Sequence, residues 1–286
     1  MKQRFTTGVL MMLAVFALSF TSCKDDKEEV KPTVEETEIA CKMTSLAFDG
    51  EEPVTLKYNE QGNISGVSLT LSNGDGTSNT YTTTYIYDGK HQLIRQESYT
   101  DGKMNEYTTY EYENGLQISA KNYEYIEGSA EGDLLTTRTY KYDAEKRAVE
   151  ITVTYPSTED NYFGGRNITS KITYDSNGNI EKIDRYNDGV LVSSAVYTGY
   201  DDKLNPYSVV KGLLTIDEEV LSKNNPGKRA ASYFIDSDGD GVMEDNGGSV
   251  STFTYEYNSE GYPVKITKVY EGSDDPDVTT YSYECK

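Results

Sequence analysis

The chain has 286 residues and a formal net charge of −21, with 48 acidic side chains against 27 lysines and arginines. Such a surface repels nucleic acid and anionic lipid headgroups, so neither is an expected partner. Tryptophan is absent and tyrosine, at 26 residues, far outnumbers phenylalanine at seven, so tyrosine must supply most of the aromatic burial.

At the start, Lys2 and Arg4 form a positive n-region and Gly8 to Phe20 an apolar h-region. Thirteen helical residues span about 20 Å, short of the ~30 Å hydrocarbon core that a membrane helix crosses. Small residues Thr21 and Ser22 then precede Cys23, as a signal peptidase requires near its cut. Either residues 1–22 are a lipoprotein signal peptide and Cys23 is the lipidated residue, or the segment is a plain cleaved signal, which needs no cysteine there. In the lipoprotein reading the Cys23 thiol takes a diacylglycerol, and cleavage frees its amine for a further chain such as palmitate. Two or more chains give stable anchoring to a bilayer. Phe20 departs from the Leu usual at its position. Cleavage removes two cations and no acid, taking the charge from −21 to −23. Lys24-Asp25-Asp26 directly behind the anchor resembles the surface-export signal of Bacteroidetes-type lipoproteins, which implies an outer-membrane anchor facing the cell exterior; the alternative is a simple charged tether. With seven acids, three lysines and no aromatic, residues 24–40 cannot bury enough surface to fold. Residues 23–40 therefore read as lipid anchor and disordered acidic tether, and 41–286 as a single repetitive β-domain. No second apolar segment approaches the length of a membrane helix.

With Cys23 consumed by lipid, Cys41 and Cys285 remain at the two ends of that domain. An oxidising compartment invites a disulfide between them; the alternative is two separately buried thiols.

A unit of tyrosine, Asp or Asn, a glycine-containing turn and an apolar residue recurs along the domain. It stands as Tyr58-Asn59-Glu60-Gln61-Gly62-Asn63-Ile64, as Tyr174-Asp175-Ser176-Asn177-Gly178-Asn179-Ile180 and at Tyr257-Asn258-Ser259-Glu260-Gly261. Degenerate copies start at Tyr87, Tyr112, Tyr142 and Tyr200. Successive intervals are 29, 25, 30, 32, 26 and 57 residues. The last is about double, with Ser222-Lys223-Asn224-Asn225-Pro226 where a missing turn would fall, so the pattern reads as about eight repeats. Each unit reads as a β-hairpin: Asp or Asn opens the turn and glycine takes its φ > 0 position. Flanking residues alternate, as in Thr84-Tyr85-Ile86-Tyr87 and Thr254-Tyr255-Glu256-Tyr257, which sets tyrosines on one strand face and Thr, Glu or Lys on the other. Gly212 to Ser222 is the best helical candidate, as a short helix or turn. The expected fold is all-β, an antiparallel meander of about eight repeated hairpins whose twist rolls it up or closes it into a barrel-like sheet. Closure would make the first and last strands neighbours, where Cys41 and Cys285 would meet. A transmembrane barrel needs an apolar outer band about 25 Å tall, and these strands offer Thr, Glu, Lys and Asp, so a soluble barrel is expected.

The Tyr-Asp-x-x-Gly units resemble YD (RHS-type) repeats. As a whole the domain is similar to a family of Bacteroidetes surface lipoproteins of unknown function, described as porin-like. The carrying residues are Cys23, Asn205-Pro206, Ser222 to Pro226, Gly261-Tyr262-Pro263-Val264-Lys265 and Tyr283-Glu284-Cys285. The resemblance implies a fold and a location, and no catalytic residues.

One acidic constellation, from Asp236 to Asp245, matches the first half of a calcium loop. Asp236, Asp238 and Asp240 fall at positions one, three and five, the Val242 carbonyl at seven and Glu244 at nine. Position twelve is Gly247 and no helix flanks the loop, so it is not an EF-hand; Asp245 can substitute for the missing acid. A structural calcium ion is the expectation, and a solvated acidic turn the alternative. Enzyme chemistry is not expected: His91 is the single histidine, and no nucleophile–base pair, phosphate loop or zinc spacing occurs. The tyrosine rows serve either as core or as a solvent-facing platform for sugar rings. The functional expectation is a surface lipoprotein that binds extracellular polymer, glycan ahead of protein. Its alternative is a structural or assembly component of an outer-membrane complex.

Overall fold

The computed structural model describes residues 41–128, 132–156, 165–210, 221–238 and 241–285. Cys23, the signal and tether, Asp240 and most of the helical candidate lie outside them. The described residues belong to one unit, Ile39–Lys286. Its first strands are β1 (Cys41–Phe48), β2 (Val54–Tyr58), β3 (Ile64–Ser72) and β4 (Ser78–Tyr87). Then come β5 (Leu93–Thr100), β6 (Lys103–Glu113), β7 (Leu116–Glu124) and β8 (Asp133–Tyr142). The second half holds β9 (Ala148–Thr154), β10 (Asn167–Tyr174), β11 (Ile180–Asn187) and β12 (Val190–Thr198). A short 3-10 helix, Pro206–Val209, precedes β13 (Lys228–Ile235), β14 (Glu244–Tyr257), β15 (Pro263–Tyr270) and β16 (Asp277–Cys285). Each strand pairs with its chain neighbours, and β1 also pairs with β16, so the meander closes into an all-antiparallel barrel. At the closure Cys41 faces Cys285, and the two form a disulfide.

The repeated unit has a common physical basis. Its Asp or Asn accepts two backbone N–H groups across the turn: Asn59 from Gln61 and Asn63, Asp88 from Lys90 and Gln92, Asp175 from Asn177 and Asn179, Asn258 from Glu260 and Tyr262. The fourth turn residue has positive φ, 78° at Gly62 and 87° at Gly178, but also 62° at His91 and 64° at Lys146. One residue after each such turn the ladder slips, leaving Ser65, Ile94, Val149, Glu181 and Val264 as β-bulges. The unit at Tyr112 differs: Asn114 and Gly115, both at positive φ, make a two-residue turn.

The tyrosines of the repeated unit point inward and their hydroxyls are used, whereas Tyr107 and Tyr123 stack on the outward face beneath Arg95. Tyr58 donates to the Met43 carbonyl at 2.7 Å, Tyr87 to Ile64 at 2.7 Å and Tyr142 to Gln117 at 2.7 Å. Tyr174 reaches Ala148 at 2.8 Å, Tyr200 reaches Ile180 at 2.7 Å and Tyr283 reaches Pro263 at 2.9 Å. Each hairpin is thus tied to the one before it, because the phenol reaches a backbone carbonyl of the neighbouring strand, which belongs to the preceding hairpin. The repeat-unit tyrosines are thus wall and core. The residue inside each pair is the more buried, with Tyr110, Tyr140, Tyr197 and Tyr281 in the core beside Ile151, Ile172, Ile183 and Met43. Outward positions carry threonine and charge, as in Thr139↔Thr152↔Thr169 and the ion pairs Lys141–Glu150 and Lys265–Glu256.

Candidate functional site

Among the described residues, the doubled interval between Tyr200 and Tyr257 holds no hairpin beyond β13 and β14. The Asp201 N–H donates to the Asn225 carbonyl, and the Asn225 N–H donates to Asp201 Oδ1. Asp175 and Asn179 make the same two bonds in a regular turn. Residues 202–224 are therefore an insertion between the first and last residues of an otherwise ordinary turn. Ser222 to Pro226, read above as the place of a missing turn, forms the returning limb.

The ends of the insertion are locked by a buried knot of polar side chains. Asn225 Nδ2 donates to both Asp201 carboxylate oxygens, at 3.3 and 3.2 Å, and to the Leu204 carbonyl at 3.1 Å. Tyr257 donates to Asp201 Oδ2. Asn224 donates its N–H to Asn179 Oδ1 at 2.8 Å and its Nδ2 to the Lys203 carbonyl at 2.7 Å. The Ile180 N–H donates to Ser222 Oγ at 3.1 Å. Asn179 and Asn225 are only 1% and 2% exposed, so each bond replaces water that has been excluded. Burial, followed by the Asp201 hydrogen bond, pushes the Tyr257 phenol far above its ordinary range. The 3-10 helix then carries Tyr207 and Val210 across to the β1–β16 seam. There Val210 packs in the cluster of Met43, Ile64 and Tyr281, and Tyr207 meets Tyr281 edge-on at 6.3 Å.

This crossing forms the floor of a cavity of about 840 Å³. Its walls are inward residues of β12 and β14 to β16, among them Tyr197, Phe253, Tyr255, Ile266 and Tyr281. Asn205, Pro206, Tyr207, Ser222 and Asn225 lie at the floor, and Asp49, Glu51, Asp275 and Asp277 at the opposite rim. Lys268 is a cation within it, over the Tyr270 ring at 4.6 Å and the Phe253 ring at 6.0 Å. Volume and aromatic lining are those of a small-ligand site, typically ~300–1,000 Å³. Burial pushes Tyr281 strongly upward, so its hydroxyl stays protonated at neutral pH, as a hydrogen-bonding group and not as a base.

The acidic loop lies elsewhere, between β13 and β14. Carboxylate oxygens of Asp236, Asp238 and Glu244 come within 4.8 Å of one another. Glu244 also accepts from the Ser237 N–H and hydroxyl, and Asp236 from the Gly241 N–H. Asp245 instead closes its own turn by accepting from the Gly247 N–H, and Val242 is 61% exposed. His91 sits exposed in its turn. The sequence reading missed the cavity because its residues come from six strands and one insertion. The signal that was present, a doubled repeat interval, pointed to an insertion as readily as to a lost turn.

No protein-family model matches the chain, and no curated protein matches it. Among solved structures, a porin-like protein from Bacteroides uniformis is 15% identical with a TM-score of 0.51, the match covering 85% of this chain and 96% of that one. A porin-like protein from Bacteroides vulgatus is 13% identical with a TM-score of 0.46, covering 85% and 99%. The Photorhabdus luminescens Tc holotoxin pore is 17% identical with a TM-score of 0.32, covering 80% of this chain and 13% of that one. The first likeness shows a shared fold, the all-antiparallel β-barrel described above.

Proposed function

We propose that the chain is a surface-anchored lipoprotein whose barrel binds an uncharged extracellular glycan in the lumen cavity. The carrying observation is the cavity itself: the aromatic rings of Phe253 and Tyr255 beside polar Asn205 and Lys268. Sugar rings stack on such faces through their C–H groups while their hydroxyls seek polar partners. Four rim carboxylates disfavour uronic or sulfated polymers, which carry like charge. Outward threonines and ion pairs support a barrel held outside the bilayer, since a lipid-facing wall requires an apolar band. The acylated Cys23 supplies the anchor in this reading, and the YD-like units supply the wall. A calcium ion at Asp236, Asp238 and Glu244 belongs to the proposal as an ordering ion for the β13–β14 loop.

Titration calorimetry with neutral gluco-, xylo- and manno-oligosaccharides tests the binding. Heat with at least one series is expected, and Phe253→Ala should weaken it roughly tenfold, the equivalent of about 1.4 kcal/mol. A silent panel sinks the proposal. It would favour the second reading, an assembly component, which the consumption of the tyrosine hydroxyls in the wall supports. Cys23→Ser should move the protein from the membrane fraction to the soluble fraction; retention in the membrane would refute the anchor. If EDTA leaves the melting temperature unmoved, the ion is discarded.

A further inference from the structure

A second cavity lies on the inner side of the wall beside the β6–β7 and β8–β9 turns, and we infer that it binds a single neutral sugar ring bearing an acetamido group. Among the described residues it shares no lining residue with the larger cavity, so it stands apart from the reading above. Its volume is about 280 Å³, just under the ~300–1,000 Å³ of small-ligand sites, which leaves room for about one ring. Gln117 is the residue that points to an occupant. It lines the cavity, stands opposite Tyr112 across the β6–β7 ladder so that both face inward, and is 3% exposed. Among the described residues its side-chain Nε2 finds no hydrogen-bond partner. A donor shut away from water and left unpaired is destabilising, and an acceptor on a ligand removes that loss. The amide turns about its last, two-fold bond, which brings its donor to the cavity.

The neighbouring polar groups are already engaged. Tyr142 donates to the Gln117 carbonyl at 2.7 Å and Tyr174 to the Ala148 carbonyl at 2.8 Å. The Arg147 guanidinium is held by Asp143 at 2.7 Å and lies over the Tyr174 ring at 4.7 Å. Lys146 also lines the cavity, but it is exposed beside exposed Glu145, where solvent screens it. What remains for a ligand is aromatic surface and one neutral amide. Phenol rings take the C–H face of a sugar, and a charged group would lose its water with no free counter-charge to meet it. An amide carbonyl is a stronger acceptor than a sugar hydroxyl, so the acetamido group is the feature that Gln117 selects.

The test uses the full chain and ligand-observed saturation-transfer NMR with N-acetylglucosamine and N-acetylgalactosamine, each against its unacetylated counterparts glucose, galactose and glucosamine. At least one acetylated sugar should bind about tenfold more tightly than its counterparts, with transfer to its acetamido methyl. Equal affinities, or silence from both acetylated sugars, would overturn the site. The gluco-, xylo- and manno-oligosaccharides that test the larger cavity carry no acetamido group, so failure there and failure here are separate results. Gln117→Met keeps the length of the side chain and removes the unpaired amide. It should erase the preference for the acetylated sugar while the melting temperature holds or rises. A preference that survives in this variant would place the sugar elsewhere and overturn the proposal. A clear fall in melting temperature would show that the amide serves the fold, with the same consequence.

Discussion

Two turns at the same end of the barrel, Asp175 to Asn179 and Asp201 to Asn225, are closed by the same pair of backbone bonds yet enclose very different lengths of chain. The comparison shows that the hairpin needs only its first and last turn residues. What lies between them is free to become something else, here the floor of a cavity. A third junction at that end, between β16 and β1, has no turn, and the Cys41–Cys285 disulfide stands in its place.

The three junctions differ most in what their loss should cost. Replacing both cysteines by serine frees a loop of nearly the whole domain and should remove up to about 5 kcal/mol, read by urea denaturation under oxidising conditions. A variant of unchanged stability would mean that the paired β1 and β16 strands hold the seam alone. Next in size, Asn225→Ala should cost about 2 kcal/mol, because it removes a side chain only 2% exposed whose Nδ2 bridges the Asp201 carboxylate and the Leu204 carbonyl. Asp175→Ala, in the regular and better-hydrated turn, should cost about 1 kcal/mol. Equal losses would erase the distinction between the two turns.

Alkali provides a third comparison, across the regular hairpins. Burial raises Tyr58, Tyr85, Tyr87, Tyr112 and Tyr142 from 10.0 to about 12. The folded state thus holds the protons more tightly than the unfolded chain. Stability from this source is fully present below pH 10 and is lost as pH rises toward 12. The melting temperature should be level up to about pH 10 and then fall, with a distinct late fraction of the tyrosinate absorbance. Complete tyrosinate absorbance at pH 10 in the folded protein would contradict the inward rows. The smallest effect is a gain: His91 occupies a left-handed position that glycine fills in three sister turns, so His91→Gly should stabilise by about 1 kcal/mol. A loss would show that the imidazole makes a contact worth more than its backbone strain.

Much of the wall was legible in local pattern. Tyr-Asp-x-x-Gly is a turn because its Asp captures two N–H groups and its glycine tolerates positive φ, and both act within five residues. Period-two tyrosines mark one strand face for the same local reason. The seam was legible through Cys41 and Cys285, once a rolled sheet was expected. Less legible was Tyr112, where Asn114-Gly115 offered a shorter turn than the unit suggested. The cavity was not legible at all: Tyr197, Phe253, Tyr255 and Tyr281 look like any other row members. Only the route of the insertion separates the residues that line space from those that fill it.

Short-range chemistry in the chain therefore determined strands, turns and the inward tyrosine face, since side-chain capture of a backbone N–H and alternation along a strand need no distant partner. Tertiary structure alone decided which inward residues border a void, which phenols tie one hairpin to the last, and that Tyr207 and Val210 reach the β1–β16 seam. Those outcomes depend on contacts between segments tens to hundreds of residues apart, such as Val210 against Met43 and Tyr207 against Tyr281, and no local pattern encodes who will meet whom.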